Sequence, residues 1–461
     1  MVWYVVFVTA LAQFIAAYTG NVTVIALPQI AKVFGLSNIL QNWVVNIFTL
    51  TIAILSVPFG KICSKYGLKR SFLLGEIVFF IGAIGTILSI NAPMLFAFRI
   101  IQGVGSTAIF VSSIAMMVRA VPDNERGRAI GISTGSVYLG LSFAPVIGGS
   151  LTYYFGWESI FIITLPIIFL CILILKFQVN DEWKMGETDS IDMKGIILYA
   201  IGIICFMYGF TILNKLNGVI LTVIGLIFLI TFGLWELRTK YPIFEVRLFK
   251  NSKFLSSNIA SIISYIAIFA ISTILNYHFQ YIRGWNAQMT GLILVATPIM
   301  QAIVTPQSGK LSDRIDPQIL SATGMGLVTI SLFILIFLTK TTPLWIVIVA
   351  MVLQGVGYGI FSSPNNNTIM SSVPEEETGM ASASVSTMRV IGQTLSMGIL
   401  TVLFAFIMGS VVITPNVYVE LAVSCRYALI ISTILGVISV LVSLVGLKSV
   451  AKLNTDFFRL K

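Results

Sequence analysis

Long apolar stretches separated by short polar breaks run through the whole chain. A helix needs about 20 mostly apolar residues to cross a bilayer. Such stretches predict fourteen spanning helices at about 2–27, 41–59, 71–90, 93–118, 129–151, 155–176, 195–213, 218–236, 254–280, 288–307, 318–339, 344–370, 381–411 and 423–447. No charged segment precedes the first stretch and no A-x-A cleavage site follows it, which indicates a retained span rather than a signal peptide. The pattern predicts an all-α polytopic membrane protein.

Composition supports this prediction and excludes other classes. Hydrophobic residues make up 57% of the chain and charged residues 10%, and the mean hydropathy is +0.97, whereas soluble domains carry about 25% charged residues. The net charge of +10 does not indicate a nucleic-acid partner, because the basic residues lie mainly in the breaks. One histidine and four scattered cysteines offer neither a metal cluster nor a nucleophile with its base. We therefore expect no enzyme activity, no metal and no cofactor.

The basic residues predict the orientation. Of the 28 lysines and arginines, 21 fall in the breaks on the side of both termini, four on the other side and three within the stretches. Lysine and arginine mark cytoplasmic loops. The sequence therefore predicts a multi-pass protein of the cell membrane with both termini in the cytoplasm.

An internal repeat predicts the architecture. Three segments recur at nearly one offset: 60–67 at 309–316 (249 positions), and 102–105 at 354–357 and 121–125 at 373–377 (both 252 positions). They predict a six-helix half at 1–176, linkers and two inserted helices at 177–253, a second half at 254–447 and a cytoplasmic tail at 448–461. Duplicated halves that rock around a central site are typical of secondary transporters.

Two motifs then point to one family. The loop at Gly60, Ile62, Cys63, Lys65, Gly67, Lys69 and Arg70 is similar to G-x-L-A-D-R-x-G-R-[RK], with Ser64 at the acidic position, and Gly309, Asp313 and Arg314 form its second copy. Such a loop is a tight turn with cations near helix ends. Leu95, Arg99, Gln102, Gly103 and Gly105 match L-x-x-x-R-x-x-Q-G-x-G.

The chain thus resembles the major facilitator superfamily, and within it the fourteen-helix drug:proton antiporters that include quaternary-ammonium and tetracycline efflux pumps. The resemblance implies the major facilitator fold, a monomer in the lipid bilayer, and efflux of small amphipathic compounds by alternating access in exchange for protons. It also implies that the loop copies gate the cytoplasmic side. The departure at Ser64 predicts a weaker latch in the first copy.

A third motif favours export. Gly140, Pro145, Gly148 and Gly149 match the exporters' G-x-x-x-G-P-x-x-G-G, with Ala144 in place of the middle glycine. Proline removes a backbone donor and bends a helix, so the resemblance implies a hinge here. Close helix packing against small residues is the alternative.

The residues expected to carry proton coupling depart from the family's pattern. The segment before Pro28 resembles D-x-T-I-V-N-V-A-L-P, but its aspartate falls on Thr19. An intramembrane charge is functional by default, so Arg99 is the leading candidate, and snorkelling to the outer interface is its alternative. We expect Arg99 to act with a polar network of Gln13, Thr19, Asn21 and Asn46, and Gln102 of the α4 motif is a further candidate for coupling.

Three further expectations concern acid–base groups. His278 near the predicted outer face could sense acidity, because histidine titrates near physiological pH. Glu76 is expected to pair with Lys69 or Arg70. No carboxylate is evident in the first span, which favours neutral, zwitterionic or anionic substrates over cationic ones. The alternative function is a facilitator that is not coupled to protons.

Overall fold

The structure is a computed structural model of the 461-residue chain. It describes every residue except 1, 123–125, 180, 184–191, 214, 240–241, 245, 313, 374–377 and 460–461. Asp313, the acid of the second loop motif, thus lies outside the described residues.

The described residues form α-helices joined by short turns. Their bounds are α1 Val2–Phe34, α2 Asn38–Tyr66, α3 Leu68–Ile87, α4 Ala92–Ala120, α5 Arg126–Phe155, α6 Ser159–Ile162, α7 Thr164–Gln178, α8 Met193–Thr211, α9 Leu216–Glu236, α10 Ser252–Ile268, α11 Ile271–Tyr277, α12 Ala287–Leu294, α13 Ala296–Leu311, α14 Pro317–Ile336, α15 Leu344–Ser371, α16 Thr378–Ile407 and α17 Tyr418–Arg459. A π-helical turn, His278–Ile282, extends α11. Short 3-10 turns lie at Val246–Lys250 and Pro415–Val417.

These helices confirm the all-α membrane class. Thirteen spans among the described residues are long and apolar enough to cross a membrane. The remaining predicted span coincides with α5, a 30-residue helix rich in glycine and serine. Three predicted spans are each built from two helices, α6 with α7, α10 with α11, and α12 with α13. The tail predicted at 448–461 is helical as far as Arg459.

The chain divides into two compact units. The first comprises Met1–Ile243, Ser272–Val295 and Phe404–Leu421, and the second comprises Phe244–Ile271, Ala296–Leu403 and Ala422–Lys461. The first unit thus contains the predicted N-terminal half and the inserted helices α8 and α9, together with α11 and α12.

Glycines set the closest helix contacts in both units. In the first unit a methyl group added to Gly105 of α4 would lie 2.6 Å from the carbonyl oxygen of Gly75 in α3. In the second unit a methyl group on Gly357 of α15 would lie 2.6 Å from the carbonyl oxygen of Gly324 in α14. Gly324 follows Gly75 by 249 positions and Gly357 follows Gly105 by 252, the two offsets of the sequence repeat.

The same correspondence extends to a neighbouring helix. Gly103 of α4 packs on Thr51 and the carbonyl oxygen of Phe48, both in α2. Gly355 of α15 packs on Met300 and on the carbonyl oxygen of Thr297, both in α13. Gly355 follows Gly103 by 252 positions, and Met300 and Thr297 follow Thr51 and Phe48 by 249 positions each. Small residues at such crossings let helix backbones approach closely in a membrane.

Candidate transport site

Arg99 is a fully buried cation in the first unit. It lies in the second turn of α4, whose start is capped by Asn91 through a hydrogen bond from the Met94 N–H. The Arg99 side chain is 0% exposed. Its burial contradicts the alternative of snorkelling to the interface, because a snorkelling guanidinium reaches water.

Two polar contacts and two aromatic rings, Phe48 and Phe161, hold the guanidinium. Nε donates to the carbonyl oxygen of Val44 at 3.2 Å, and Nη1 donates to Oε1 of Gln102 at 2.6 Å. The charged carbon lies 4.4 Å from the centre of the Phe48 ring, a favourable cation–π distance. Among the described residues no carboxylate pairs with Arg99, and neither its Nη2 nor Nε2 of Gln102 has a hydrogen-bond partner. The pair therefore presents hydrogen-bond donors that lack acceptors.

The polar side chains of α1 only partly join this site. Thr19 is 0% exposed, and its hydroxyl has no hydrogen-bond partner among the described residues. Asn21 donates to the carbonyl oxygen of Leu141 in α5 at 3.4 Å, and Gln13 accepts from the Ser133 hydroxyl in α5. Among the residues predicted to act in coupling, a direct hydrogen bond therefore joins Arg99 to Gln102. Gln13 and Asn21 form hydrogen bonds with α5 instead.

A second polar cluster was not predicted from sequence. Four side chains of α11 and its π turn, Asn276, Tyr277, Gln280 and Tyr281, reach α1 and α2, and we call them the α11 clasp. Asn276 and Gln280 donate to backbone carbonyls of α1, at 2.7 and 2.9 Å. Tyr277 and Tyr281 donate to side-chain oxygens at the start of α2, at 2.6 and 3.2 Å. The available signal was a polar and aromatic run, 276–281, inside an apolar span.

The spacing of the clasp residues explains why their side chains face one way. Residues four apart lie on the same face of a helix, so Gln280 lies beside Asn276 and Tyr281 beside Tyr277, and Nε2 of Gln280 donates to Oδ1 of Asn276 at 2.6 Å. A π-helical turn, a feature that often marks a functional site, spans 278–282 directly after α11. The spacing does not say which helices these side chains meet, which is why the clasp required the structure.

His278 lies beside the clasp and is engaged by a cation. Its Nε2 accepts a hydrogen bond from Nε of Arg283 at 3.0 Å, and the ring is 4% exposed. Arg283 also lies 5.3 Å from the centre of the Trp285 ring, and burial lowers the pKa of this guanidinium. Accepting from Arg283 uses the lone pair that an added proton would need, so a sensing role for His278 stays a prediction.

The glycines of the predicted hinge are contact points. A methyl group on Gly140 would lie 2.5 Å from the Phe14 carbonyl oxygen, and one on Gly149 would lie 2.5 Å from that of Ala287 in α12. Gly148 packs on Val22. Helix α5 continues through Pro145 from Arg126 to Phe155. The motif therefore packs α5 closely on α1 and α12, and bending at Pro145 stays a prediction.

The first loop motif is a tight turn between α2 and α3. Gly67 adopts φ +110°, which disfavours any side chain. Lys65 and Arg70 are exposed and Lys69 is half-buried. A carboxylate does reach this turn, but it belongs to Glu182, which accepts from the backbone N–H groups of Lys69 and Arg70.

Glu76 does not make the expected pair with Lys69 or Arg70. It is 1% exposed in α3, and its Oε1 has no hydrogen-bond partner among the described residues. It lies two turns beyond Arg70, on the buried side of the helix with Phe72 and Phe79, so the basic residues of the turn do not reach it.

The second loop motif is partly described. Gly309 lies in the last turn of α13 beside Ser363, and a methyl group there would lie 2.9 Å from the Ser363 hydroxyl oxygen. Arg314 is exposed. Asp316 caps α14 by accepting from the Gln318 N–H at 2.9 Å.

Known proteins share this sequence pattern and fold. Residues 9–397 and 257–457 match the sequence model of the Major Facilitator Superfamily. The chain is 31% identical to the riboflavin transporter RibZ of Clostridioides difficile over 409 residues, 87% of this chain and 88% of RibZ. It is 27% identical to the multidrug resistance protein Stp of Mycobacterium tuberculosis over 402 residues, 85% of this chain and 74% of Stp.

A solved structure shares the architecture. The crystal structure of a bacterial homologue of the human lysosomal transporter Spinster, inward-facing and unoccupied, aligns with a TM-score of 0.72 at 15% identity, over 98% of both chains. This likeness confirms the predicted fold class.

Proposed function

Because the chain belongs to the Major Facilitator Superfamily, we propose that it exports small amphipathic compounds, drugs or metabolites, by alternating access in exchange for protons. The buried Arg99–Gln102 pair carries this proposal. A charge inside the hydrocarbon is costly and marks a substrate or proton path by default, and no carboxylate among the described residues neutralises this one. A multidrug resistance protein among the relatives and the exporter motif around Pro145 support the export direction.

Two halves that alternate access are part of the proposal. The recurrence of the glycine contacts of α3 and α4 in α14 and α15, at offsets of 249 and 252, supports a duplication with α8 and α9 inserted. The loop at 60–67 then corresponds to the loop at 309–316 at the offset of 249, and both carry basic residues of the kind that predict cytoplasmic loops. The protein acts as a monomer in this proposal.

Substrate chemistry follows from the unpartnered groups. Nη2 of Arg99 and Nε2 of Gln102 are donors without acceptors, so they suit a substrate that offers acceptor oxygens. A buried cation also repels cationic compounds. The site therefore favours neutral or anionic compounds over lipophilic cations.

Riboflavin transport is the second candidate. RibZ is named a riboflavin transporter and covers 87% of this chain at 31% identity. Riboflavin is uncharged at neutral pH and carries ring carbonyl oxygens, which match a donor-rich site. This candidate does not require proton coupling, because Thr19 stands where the family's first-span acid would lie.

Proton flux from purified protein in liposomes tests both candidates. A pH gradient is imposed, a trapped dye reports pH, and riboflavin, fluorescein or ethidium is added as the neutral, anionic or cationic probe. We expect riboflavin or fluorescein to discharge the gradient, and Arg99→Gln to abolish this. Arg426→Gln, which removes an exposed arginine of α17, is the matched control and should leave the flux unchanged.

Other outcomes decide against parts of the proposal. Discharge by ethidium alone would overturn the assignment of substrate charge. Equilibration of labelled riboflavin without proton movement would make the protein a facilitator. Full activity of Arg99→Gln would remove Arg99 from the transport site.

A further inference from the structure

The first turn of α3 is capped by a residue from a distant segment. Glu182 lies after α7, yet its Oε1 accepts from the Lys69 N–H at 3.0 Å and its Oε2 from the Arg70 N–H at 3.2 Å. The Leu68 N–H donates to the carbonyl oxygen of Trp183 at 2.9 Å. The first N–H groups of a helix lack partners within the helix. Here Glu182 and Trp183 accept from the N–H groups of Leu68, Lys69 and Arg70.

The second copy of the turn is capped locally. Asp316, 249 positions after Gly67, accepts from the N–H of Gln318 through its own side chain at 2.9 Å. Gln318 follows Lys69 by the same 249 positions. Equivalent N–H groups are thus capped by a side chain of the turn itself in one copy and by Glu182 in the other.

The absence of a side chain at Gly67 leaves space for the Glu182 carboxylate. A methyl group on Gly67 would collide with the carboxyl group of Glu182. The Glu182 carboxylate therefore occupies the space that a side chain at position 67 would take. It also restores an acid to a turn whose own acidic position is Ser64.

The backbone bonds outweigh the ion pair at this contact. Nε of Arg70 lies 3.7 Å from Oε2 of Glu182, but the Arg70 side chain is 72% exposed. Exposed ion pairs are screened by water and contribute little. A carboxylate at a helix N-terminus gains both from N–H donors and from the helix dipole.

We propose that Glu182 is a positioning residue for transport: a detachable cap that fastens the segment after α7 to the α2–α3 turn. A side chain of the turn itself, such as Asp316, moves with its helix and cannot be released by a rearrangement of another segment. Glu182 can be released in this way, because it is 112 positions from Arg70 and belongs to a different segment. While the cap is in place, the end of α2, the start of α3 and residues 181–183 move together. The inference rests on transport by this family, and not on export or proton coupling.

Amide hydrogen exchange tests the cap directly. In Glu182→Ala we expect the amides of Lys69 and Arg70 to exchange about five-fold faster, the effect of losing a helix cap, and Glu182→Gln to fall between this and wild type. Asp181→Asn is the matched control, since it removes the same charge from an exposed neighbour, and should leave exchange unchanged. Equal exchange in Glu182→Ala and Asp181→Asn would overturn the cap.

Transport kinetics test the positioning role. With riboflavin and fluorescein as probes in liposomes, we expect Glu182→Ala to lower the maximal rate about five-fold with KM within about two-fold, since one lost cap loosens the turn and no contact joins Glu182 to Arg99 or Gln102. Glu182→Asp should recover part of the rate. Faster exchange with an unchanged maximal rate would reduce Glu182 to a structural cap and overturn the proposal. If the wild type carries neither probe, the substrate assignment of the proposed function fails, and the exchange measurement still decides the cap.

Discussion

Tyr277 donates its hydroxyl hydrogen to the side-chain oxygen of Asn42 at 2.6 Å, and both residues are fully buried. The two are 235 positions apart in sequence, and the bond fastens α11 to the start of α2. It is the shortest of the four bonds that the α11 clasp makes to α1 and α2. A buried bond of this kind resists opening, because separation leaves Asn42 and Tyr277 without these partners.

Tyr277→Phe should loosen the clasp without removing its packing. The phenyl ring keeps its contact with Phe404, whose ring centre lies 5.9 Å away. Loss of the hydroxyl leaves the Asn42 oxygen unpaired, so we expect thermal unfolding in detergent to report a loss of about 1 kcal/mol. Tyr281→Phe is the control, because its 3.2 Å bond to Gln41 is longer and its ring less buried. An equal loss in both variants would contradict a special role for Tyr277.

Gly105→Ala and Gly357→Ala should destabilise the protein by similar amounts. Each added methyl group would press on the carbonyl oxygen of a glycine in the neighbouring helix, and overpacking costs about 1–3 kcal/mol. Gly326→Ala is the control, because open space surrounds that position in α14, and alanine there favours the helix. Thermal midpoints check the series. A loss confined to one of the two sites would argue against equivalent packing in the two copies.

Glu76→Met should preserve or raise stability. The equivalent position 249 residues later is Met325, which is also fully buried. Replacing a buried polar group that lacks a partner by an apolar one of similar size is often neutral or stabilising, by up to about 4 kcal/mol for buried ionic groups. A raised thermal midpoint with unchanged flux would make Glu76 dispensable. A raised midpoint with lost flux would place it in the transport path.

Cysteine labelling should reveal the predicted orientation. A membrane-impermeant maleimide added to intact cells should modify Lys340→Cys, on the predicted outer side, and spare Lys250→Cys, on the inner side; both positions are exposed. Background from native thiols is low, since Cys63, Cys171 and Cys425 are buried and the half-buried Cys205 lies within the apolar helix α8. Burial raises the pKa of the Cys63 thiol to about 11, so at pH 8 only about one molecule in a thousand carries the reactive thiolate. The reverse labelling pattern would invert the topology.

The apolar pattern and the repeat were sufficient to predict the class, because a spanning helix needs a long apolar stretch whatever its neighbours are. The α4 motif likewise singled out Arg99 and Gln102, which can bond to each other because residues three apart lie on the same face of a helix. The expectation that Glu76 pairs with Lys69 or Arg70 was wrong, and the alternative that Arg99 snorkels is contradicted by its burial. Both depend on which side of a helix its neighbours cover.

The sequence by itself therefore determined what local physics decides: the helices, the turn at Gly67 and the Arg99–Gln102 pair. Tertiary structure alone decided contacts between segments far apart in the chain. The α11 clasp bonds to helices more than two hundred positions away, and Glu182 reaches α3 across more than a hundred residues. Helix ends and buried polar groups accept a partner from any segment that comes near, and only the packed chain selects which segment that is.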